Sequence, residues 1–339
     1  MFVLQSAVVK GRGGIATAVA HYERMFRAVG VRSAVLFAGP SIDTLREQGG
    51  DVIAAPRLLT SPIAGALPVL GDLRQAVLQR AGGEPIVAIV HSDLTLPALK
   101  RLVPKARIVT PCHSDKFKHK DEADLAVTLN AAQDAAARAA LPRTRVALLG
   151  NPYVAPQPPP LPEGGPVRFN FVGRFIPTKD PVTLLRAAQA LRDTAREVRF
   201  IGEGELDEEV RRVAAETGVN AVFAGWLSAP FAEFHRNDVL VLPSQWEGLP
   251  YLLQEALDYG VPIIAADNPG NRTALGDGAY GALFPFGDAP ALAARMREAL
   301  AGLDALRSRA ENGRAALRQR YGAAAFWRAL AAELDQVSS

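Results

Sequence analysis

Val239-Leu240-Val241-Leu242-Pro243-Ser244-Gln245-Trp246-Glu247-Gly248-Leu249-Pro250-Tyr251-Leu252-Leu253-Gln254-Glu255 changes its structural character twice within a few residues. The unbroken aliphatic run 239–242 reads as a strand buried on both faces. Pro243 to Gly248 reads as a loop. Pro250 suits the first position of a helix, and the segment Tyr251–Tyr259 carries that helix. Backbone N–H groups around Gly248 and Leu249 are then expected to point out of the helix start, an end that favours an anion or an electron-rich hydroxyl. Glu247 sits in the loop at that mouth. Glu255 falls one to two turns into the helix, where its carboxylate can accept hydrogen bonds from a pair of hydroxyls.

The same alternation extends in both directions. Strands are expected at Val167–Val172, Val198–Ile201, Ala221–Phe223 and Ile263–Ala265, and helices at Pro181–Arg192, Leu206–Thr217 and Pro290–Ala301. Residues 303–334 read as two helical segments broken near Tyr321-Gly322. Upstream lies Asn151–Pro166 (NPYVAPQPPPLPEGGP), whose prolines cannot donate a regular ladder, so it reads as an extended linker. Before it, strands are expected at Phe2–Val9, Ser33–Phe37, Val52–Ala55, Ile86–Val90, Arg107–Val109, Leu125–Leu129 and Val146–Leu149. Helices are expected at Ile15–Val29, Leu67–Gln79, Leu96–Leu102 and Ala131–Ala140. Short apolar strands alternating with helices imply parallel sheets covered on both faces. The class is therefore α/β, with two Rossmann-like doubly wound domains facing a central cleft. The domains run 1–152 and 165–318. Ligands of such sheets lie at the carboxyl ends of the strands.

Composition narrows the classes. The 339 residues suit two domains of about 150 residues each. No stretch approaches the ~18 apolar residues of a membrane span, and Met1–Ser6 lacks the basic flank of a signal peptide. The single cysteine, Cys112, excludes a disulfide framework and points to a reducing cytosol. Residues 1–150 carry 19 Lys and Arg against 12 Asp and Glu, whereas residues 151–339 carry 19 against 23. A basic first half fits either an uneven scatter of solvated charge or an anionic partner such as lipid. The run Lys116-Phe117-Lys118-His119-Lys120 leaves the same two readings open. No nucleic-acid module is recognisable.

Two further motifs leave strands. Phe171-Val172-Gly173-Arg174-Phe175-Ile176-Pro177-Thr178-Lys179-Asp180 places Arg174 and Lys179 where a bidentate fork and a point charge can converge on one anion. Lys10-Gly11-Arg12-Gly13-Gly14-Ile15 is a glycine-rich turn that allows close backbone approach. It has no GxGxxG spacing and no acidic residue at the end of the next strand, so a nicotinamide fingerprint is lacking.

The glutamate–seven residues–glutamate segment, Glu247 to Glu255, resembles the motif of retaining GT-B glycosyltransferases, and residues 165–300 look like family 4 of that group. The resemblance implies a GT-B fold and transfer of a sugar from a nucleoside diphosphate-sugar to a glycan or lipid-linked acceptor, as in cell-surface polysaccharide or lipopolysaccharide synthesis. By the same resemblance Glu247 touches the donor sugar, Glu255 the ribose hydroxyls, and Arg174 and Lys179 the diphosphate. Gly13 and Gly14 would meet the donor phosphate from the first domain, and a helix over about 320–339 would return to pack on that domain. Gly173, Gly202, Leu227, Gly248 and Leu249 would line the donor site, and His113 would contact the sugar. His91 is a further candidate, on the acceptor side. Asp-x-Asp pairs and His/Cys clusters of metal-ligand spacing are missing from the sequence. The expectation is therefore catalysis without a metal or other cofactor, in the cytoplasm, with peripheral contact at the inner membrane face left open. Two other readings remain: a catalytically silent nucleotide-sugar or glycan-binding subunit, and a sugar-nucleotide epimerase on the same fold.

Overall fold

The computed structural model describes residues 1–9, 13–61, 69–191 and 197–337. Lys10, Gly11 and Arg12 of the glycine-rich turn, the first two residues of the helix expected at Leu67–Gln79, and Arg192 lie outside the described residues. The chain divides into two compact units, Met1–Ala155 with Gln319–Ser339, and Pro156–Arg318.

In the N-terminal unit the described strands are β1 (Phe2–Val8), β2 (Ser33–Ala38), β3 (Val52–Ala54), β4 (Ile86–Val90), β5 (Arg107–Pro111), β6 (Leu125–Thr128) and β7 (Arg145–Leu148). They form one parallel sheet in the order β3-β2-β1-β4-β5-β6-β7. Helices α1 (Gly14–Ala28), α2 (Ile42–Glu47), α3 (Val69–Ala81), α4 (Leu96–Leu102) and α5 (Ala131–Ala140) connect them. On one face Phe2, Leu4, Leu36, Ala88 and Val90 meet Leu96, Leu99 and Leu102 of α4. On the other, Val3, Val87, Ile89 and Val109 meet Tyr22, Met25 and Phe26 of α1. Neighbouring strand residues thus feed opposite cores, as a period of two requires.

The C-terminal unit repeats the plan with β8 (Arg168–Val172), β9 (Glu197–Ile201), β10 (Ala221–Gly225), β11 (Asp238–Leu242), β12 (Ile263–Ala266) and β13 (Ala282–Phe284). Their order is β10-β9-β8-β11-β12-β13, all parallel. The helices are α6 (Pro181–Gln189), α7 (Asp207–Thr217), α8 (Tyr251–Tyr259), α9 (Pro269–Ala274), α10 (Ala289–Ala301) and α11 (Leu303–Tyr321). The strand order reverses between β1 and β4 in one sheet and between β8 and β11 in the other, and a crevice opens at such a reversal beyond the carboxyl ends.

The last helix, α12 (Ala323–Asp335), belongs to the N-terminal unit. Phe326 stands edge-on to Tyr22 with ring centroids 5.6 Å apart, and Trp327 edge-on to Phe26 at 5.7 Å. Arg107 on β5 donates to the Leu334 carbonyl at 2.7 Å. Among the described residues no helix is long and apolar enough to cross a membrane.

Candidate active site

In the C-terminal unit the loops that follow β8, β9 and β10 are tied to one another by main-chain bonds. Gly173 donates to the Ile201 carbonyl at 3.0 Å, Phe175 to that of Glu203 at 3.0 Å, and Gly202 to that of Gly225 at 2.8 Å. Phe175 is buried edge-on against Phe171 and Phe200, so the next residue back, Arg174, is left exposed. No ion pair to Arg174 is found among the described residues. The close approach depends on glycine. At Gly202, with φ of +143°, a Cβ would lie 1.9 Å from the Gly173 carbonyl oxygen. Gly202→Ala is expected to cost about 2–3 kcal/mol through strain and displaced backbone, read as a lower urea midpoint; an unchanged midpoint would mean the loops yield freely.

Across the strand reversal, the loop after β8 meets the loop after β11. Gln245 donates its N–H to the Thr178 carbonyl at 2.9 Å, and the Lys179 ammonium forms an ion pair with Glu247 Oε1. The Glu247 side chain is 9% exposed and that of Lys179 24%. The two sequence motifs, separated by 68 positions at this pair, therefore share one place in the fold. Asp180, in a left-handed conformation (φ 48°), caps α6 by accepting from the Thr183 N–H at 3.3 Å and the Thr183 hydroxyl at 2.6 Å. Burial pushes its carboxyl above the usual range.

Pro250 is the N-cap of α8 and not its first helical residue. Its ψ of 121° is extended, and its carbonyl accepts from Leu253 and Gln254 at 3.1 and 3.3 Å. Gly248 and Leu249, the two residues before this cap, are buried. Glu255 lies in the second turn of α8, half-buried, with its charge felt by Tyr259 one turn on. Leu227 is partly buried just after β10. Glu203 Oε1 accepts from the N–H of Trp226, which is exposed, at 3.4 Å.

Sequence reading missed the segment that supports this loop. Asn268 caps α9 by accepting from Asn271 N–H at 3.0 Å, and its amide nitrogen donates to the Ser244 carbonyl at 2.9 Å. A Cβ on Gly270 would lie 2.3 Å from the Glu247 carbonyl oxygen. Asn268-Pro269-Gly270-Asn271, directly after a strand, was the available signal for a capped turn.

In the N-terminal unit Gly13 is the extended N-cap of α1, and among the described residues a Cβ on Gly13 or Gly14 would meet nothing within 4 Å. His113, half-buried after β5, bonds through Nε2 to His91 Nδ1 at 3.0 Å. His91 Nε2 bonds to Gln5 Oε1 at 3.0 Å, Gln5 Nε2 donates to Glu23 Oε2 at 2.8 Å, and Ser33 Oγ donates to Glu23 Oε1 at 2.9 Å. Burial pushes the His113 imidazole down to about 4, with the Lys120 charge adding to it, and pushes His91 well below its ordinary value. Lys120 itself is buried and ion-paired with Asp93, so it is no part of a solvated or lipid-facing basic run; Lys116 and Lys118 are exposed.

Residues 157–316 match the family described as glycosyl transferases group 1. The match spans nearly the whole C-terminal unit. Relatives of this domain include the lipopolysaccharide core biosynthesis glycosyltransferase LpsE of Rhizobium meliloti, 29% identical over 155 residues, which are 45% of this chain and 44% of that one. The UDP-Gal:alpha-D-GlcNAc-diphosphoundecaprenol alpha-1,3-galactosyltransferase of Escherichia coli is 30% identical over 112 residues, 31% of this chain and 29% of that one. The chain thus matches less than half the length of these curated relatives. In whole-chain fold it is similar to Anabaena HepE, solved with UDP-glucose, with a TM-score of 0.79 at 17% identity over 99% of this chain and 100% of that one. The fold is GT-B, and the match to the group 1 family lies in its C-terminal half.

Proposed function

We propose that the protein transfers a sugar from a nucleoside diphosphate-sugar to a glycan or lipid-linked acceptor in making a cell-surface polysaccharide or lipopolysaccharide. The observation that carries this reading is the joining of Lys179 to Glu247 at the strand reversal of a group 1 domain. The LpsE and galactosyltransferase relatives support the substrate class.

In this mechanism Arg174 and Lys179 hold the diphosphate. As the bond from the sugar C1 to the diphosphate oxygen lengthens, negative charge collects on the leaving group, and fixed cations there lower the barrier. Glu247 accepts from hydroxyls of the sugar, and Glu255 from those of the ribose. Gly173, Gly202, Leu227, Gly248 and Leu249 shape the same pocket. Gly13 and Gly14 offer main chain to a phosphate, since nothing among the described residues crowds them. His113 contacts the sugar. A diphosphate oxygen takes the proton of the acceptor hydroxyl on the face the leaving group vacates, which retains configuration. With two cations in place, the reaction is proposed to need no metal and to run on the cytoplasmic side, where nucleotide-sugars are made.

The test is thermal shift and calorimetry with nucleoside diphosphates and nucleotide-sugars in EDTA. A rise with one base's diphosphate is expected, and Arg174→Ala should weaken that binding about 10- to 100-fold, the worth of a charge-assisted hydrogen bond. No shift with any of them would overturn the reading.

A further inference from the structure

The run Glu23–Gln5–His91–His113 has a direction. A carboxylate only accepts, so the Gln5 amide nitrogen faces Glu23 and its oxygen faces His91. His91 must then carry its proton on Nε2, which leaves Nδ1 a bare acceptor. The bond to His113 therefore takes its proton from His113 Nε2, and His113 Nδ1 is left with a lone pair. The ring geometry agrees. Centroids 5.3 Å apart with planes 16° from parallel, and nitrogens 3.0 Å apart, describe two rings joined edge to edge in one plane. Tyr22 stands edge-on to His91 at 5.1 Å and holds its orientation. Gln5, Glu23 and His91 are all buried, so water does not compete for these bonds. Burial raises the Glu23 pKa, while Ser33, Gln5 and Arg27 act to lower it.

We propose that ionised Glu23 sets the tautomer of His113 through Gln5 and His91, so that His113 presents an unprotonated Nδ1 to its ligand. Such an atom accepts a hydrogen bond from a sugar hydroxyl and repels a carboxylate. The inference rests on the proposed sugar contact for its ligand, and on hydrogen-bond geometry alone for its tautomer. Glu23, Gln5 and His91 are positioning residues here. None needs to touch substrate.

The test is long-range proton–nitrogen correlation on the whole protein labelled with 15N-histidine, with His113 identified by the signals missing in His113→Asn. Neutral Nε2–H tautomers at both His91 and His113 are expected without ligand. An Nδ1–H tautomer at His113, the polarity a protonated Glu23 would impose, or an average of both forms, would overturn the relay. Gln5→Leu cuts the chain; it should give averaged tautomers at both rings and raise KM for the donor about five- to tenfold with kcat less affected. A single Nε2–H tautomer persisting at His113 in that variant would also overturn it. Should Gln5→Leu fail to fold, Glu23→Gln removes the obligate acceptor and carries the same two outcomes. The ligand is tested separately with UDP-glucose and GDP-mannose. Movement of the His113 Nδ1 signal on binding supports the contact; binding without any movement would overturn the contact and leave the tautomer assignment standing.

Discussion

Glu247→Gln is expected to slow sugar transfer about 10²–10³-fold while the protein stays folded. In the free protein the Glu247 carboxylate neutralises the Lys179 ammonium within a poorly solvated loop. Glutamine keeps the shape and removes the charge, so Lys179 loses its partner and the sugar hydroxyls lose a charged acceptor. The stability cost should stay near 1 kcal/mol, because Lys179 is partly reached by water. Single-turnover rates with the donor identified by thermal shift, beside urea midpoints, separate the two effects. Lys179→Met should slow turnover too, and the double variant should lose less than the product of the singles, since the residues act as a pair. Wild-type turnover in Glu247→Gln would sink the assignment of the site.

Acid should unfold the N-terminal unit first. Burial holds His21 down at about 3, with Arg24 adding to it, His113 at about 4, and His91 well below its ordinary value. All three belong to the N-terminal unit. An unfolded histidine titrates near 6.5, so below that pH the unfolded chain binds protons the folded unit refuses. The stability these groups contribute is whole above 6.5 and falls as pH drops toward the folded values, by up to about 1.4 kcal/mol per pH unit for each histidine. Glu23 and Asp180, whose carboxyls are raised by burial, act in the opposite sense as they take up protons. Against a typical stability of about 5–15 kcal/mol, three histidines are decisive. Calorimetry from pH 7 to 4.5 should show one transition falling steeply and a second, from the C-terminal unit, falling less. His21 Nδ1 accepts from the Val154 N–H at 3.0 Å, a bond glutamine can replace, so His21→Gln should flatten the steep dependence by about one proton's slope. Parallel transitions at every pH would refute the account.

Much of the fold was legible because its signals are local. Leu96–Leu102, Ala131–Ala140 and Tyr251–Tyr259 form helices at the expected limits, and the break at Tyr321-Gly322 separates α11 from α12. Strands buried on both faces announce themselves as aliphatic runs, as β4 and β11 do. What went unread was short or depended on distant chain. β13 has three residues at the sheet edge, too few for a period. α9 begins with Asn-Pro-Gly, which reads as a turn until the Asn268 cap and the Glu247 backbone are seen against it. In the candidate site, Arg174, Lys179, Glu247 and His113 were picked out one by one. Their pairings were not, because a salt bridge between Lys179 and Glu247, or a shared proton between His91 and His113, is set by strand order and not by spacing.

The return of α12 to the first sheet sets synthesis and completion in opposite orders. Residues 156–318 emerge from the ribosome after the strands of the N-terminal unit but before Phe326, Leu330 and Leu334, which close the core beside Tyr22 and Phe26. The second half of the chain can therefore finish folding while the first still exposes the α1 face of its sheet. Domains made first usually fold first during translation; here the earlier-made unit waits for its last helix, and its nascent apolar face is what a chaperone would meet.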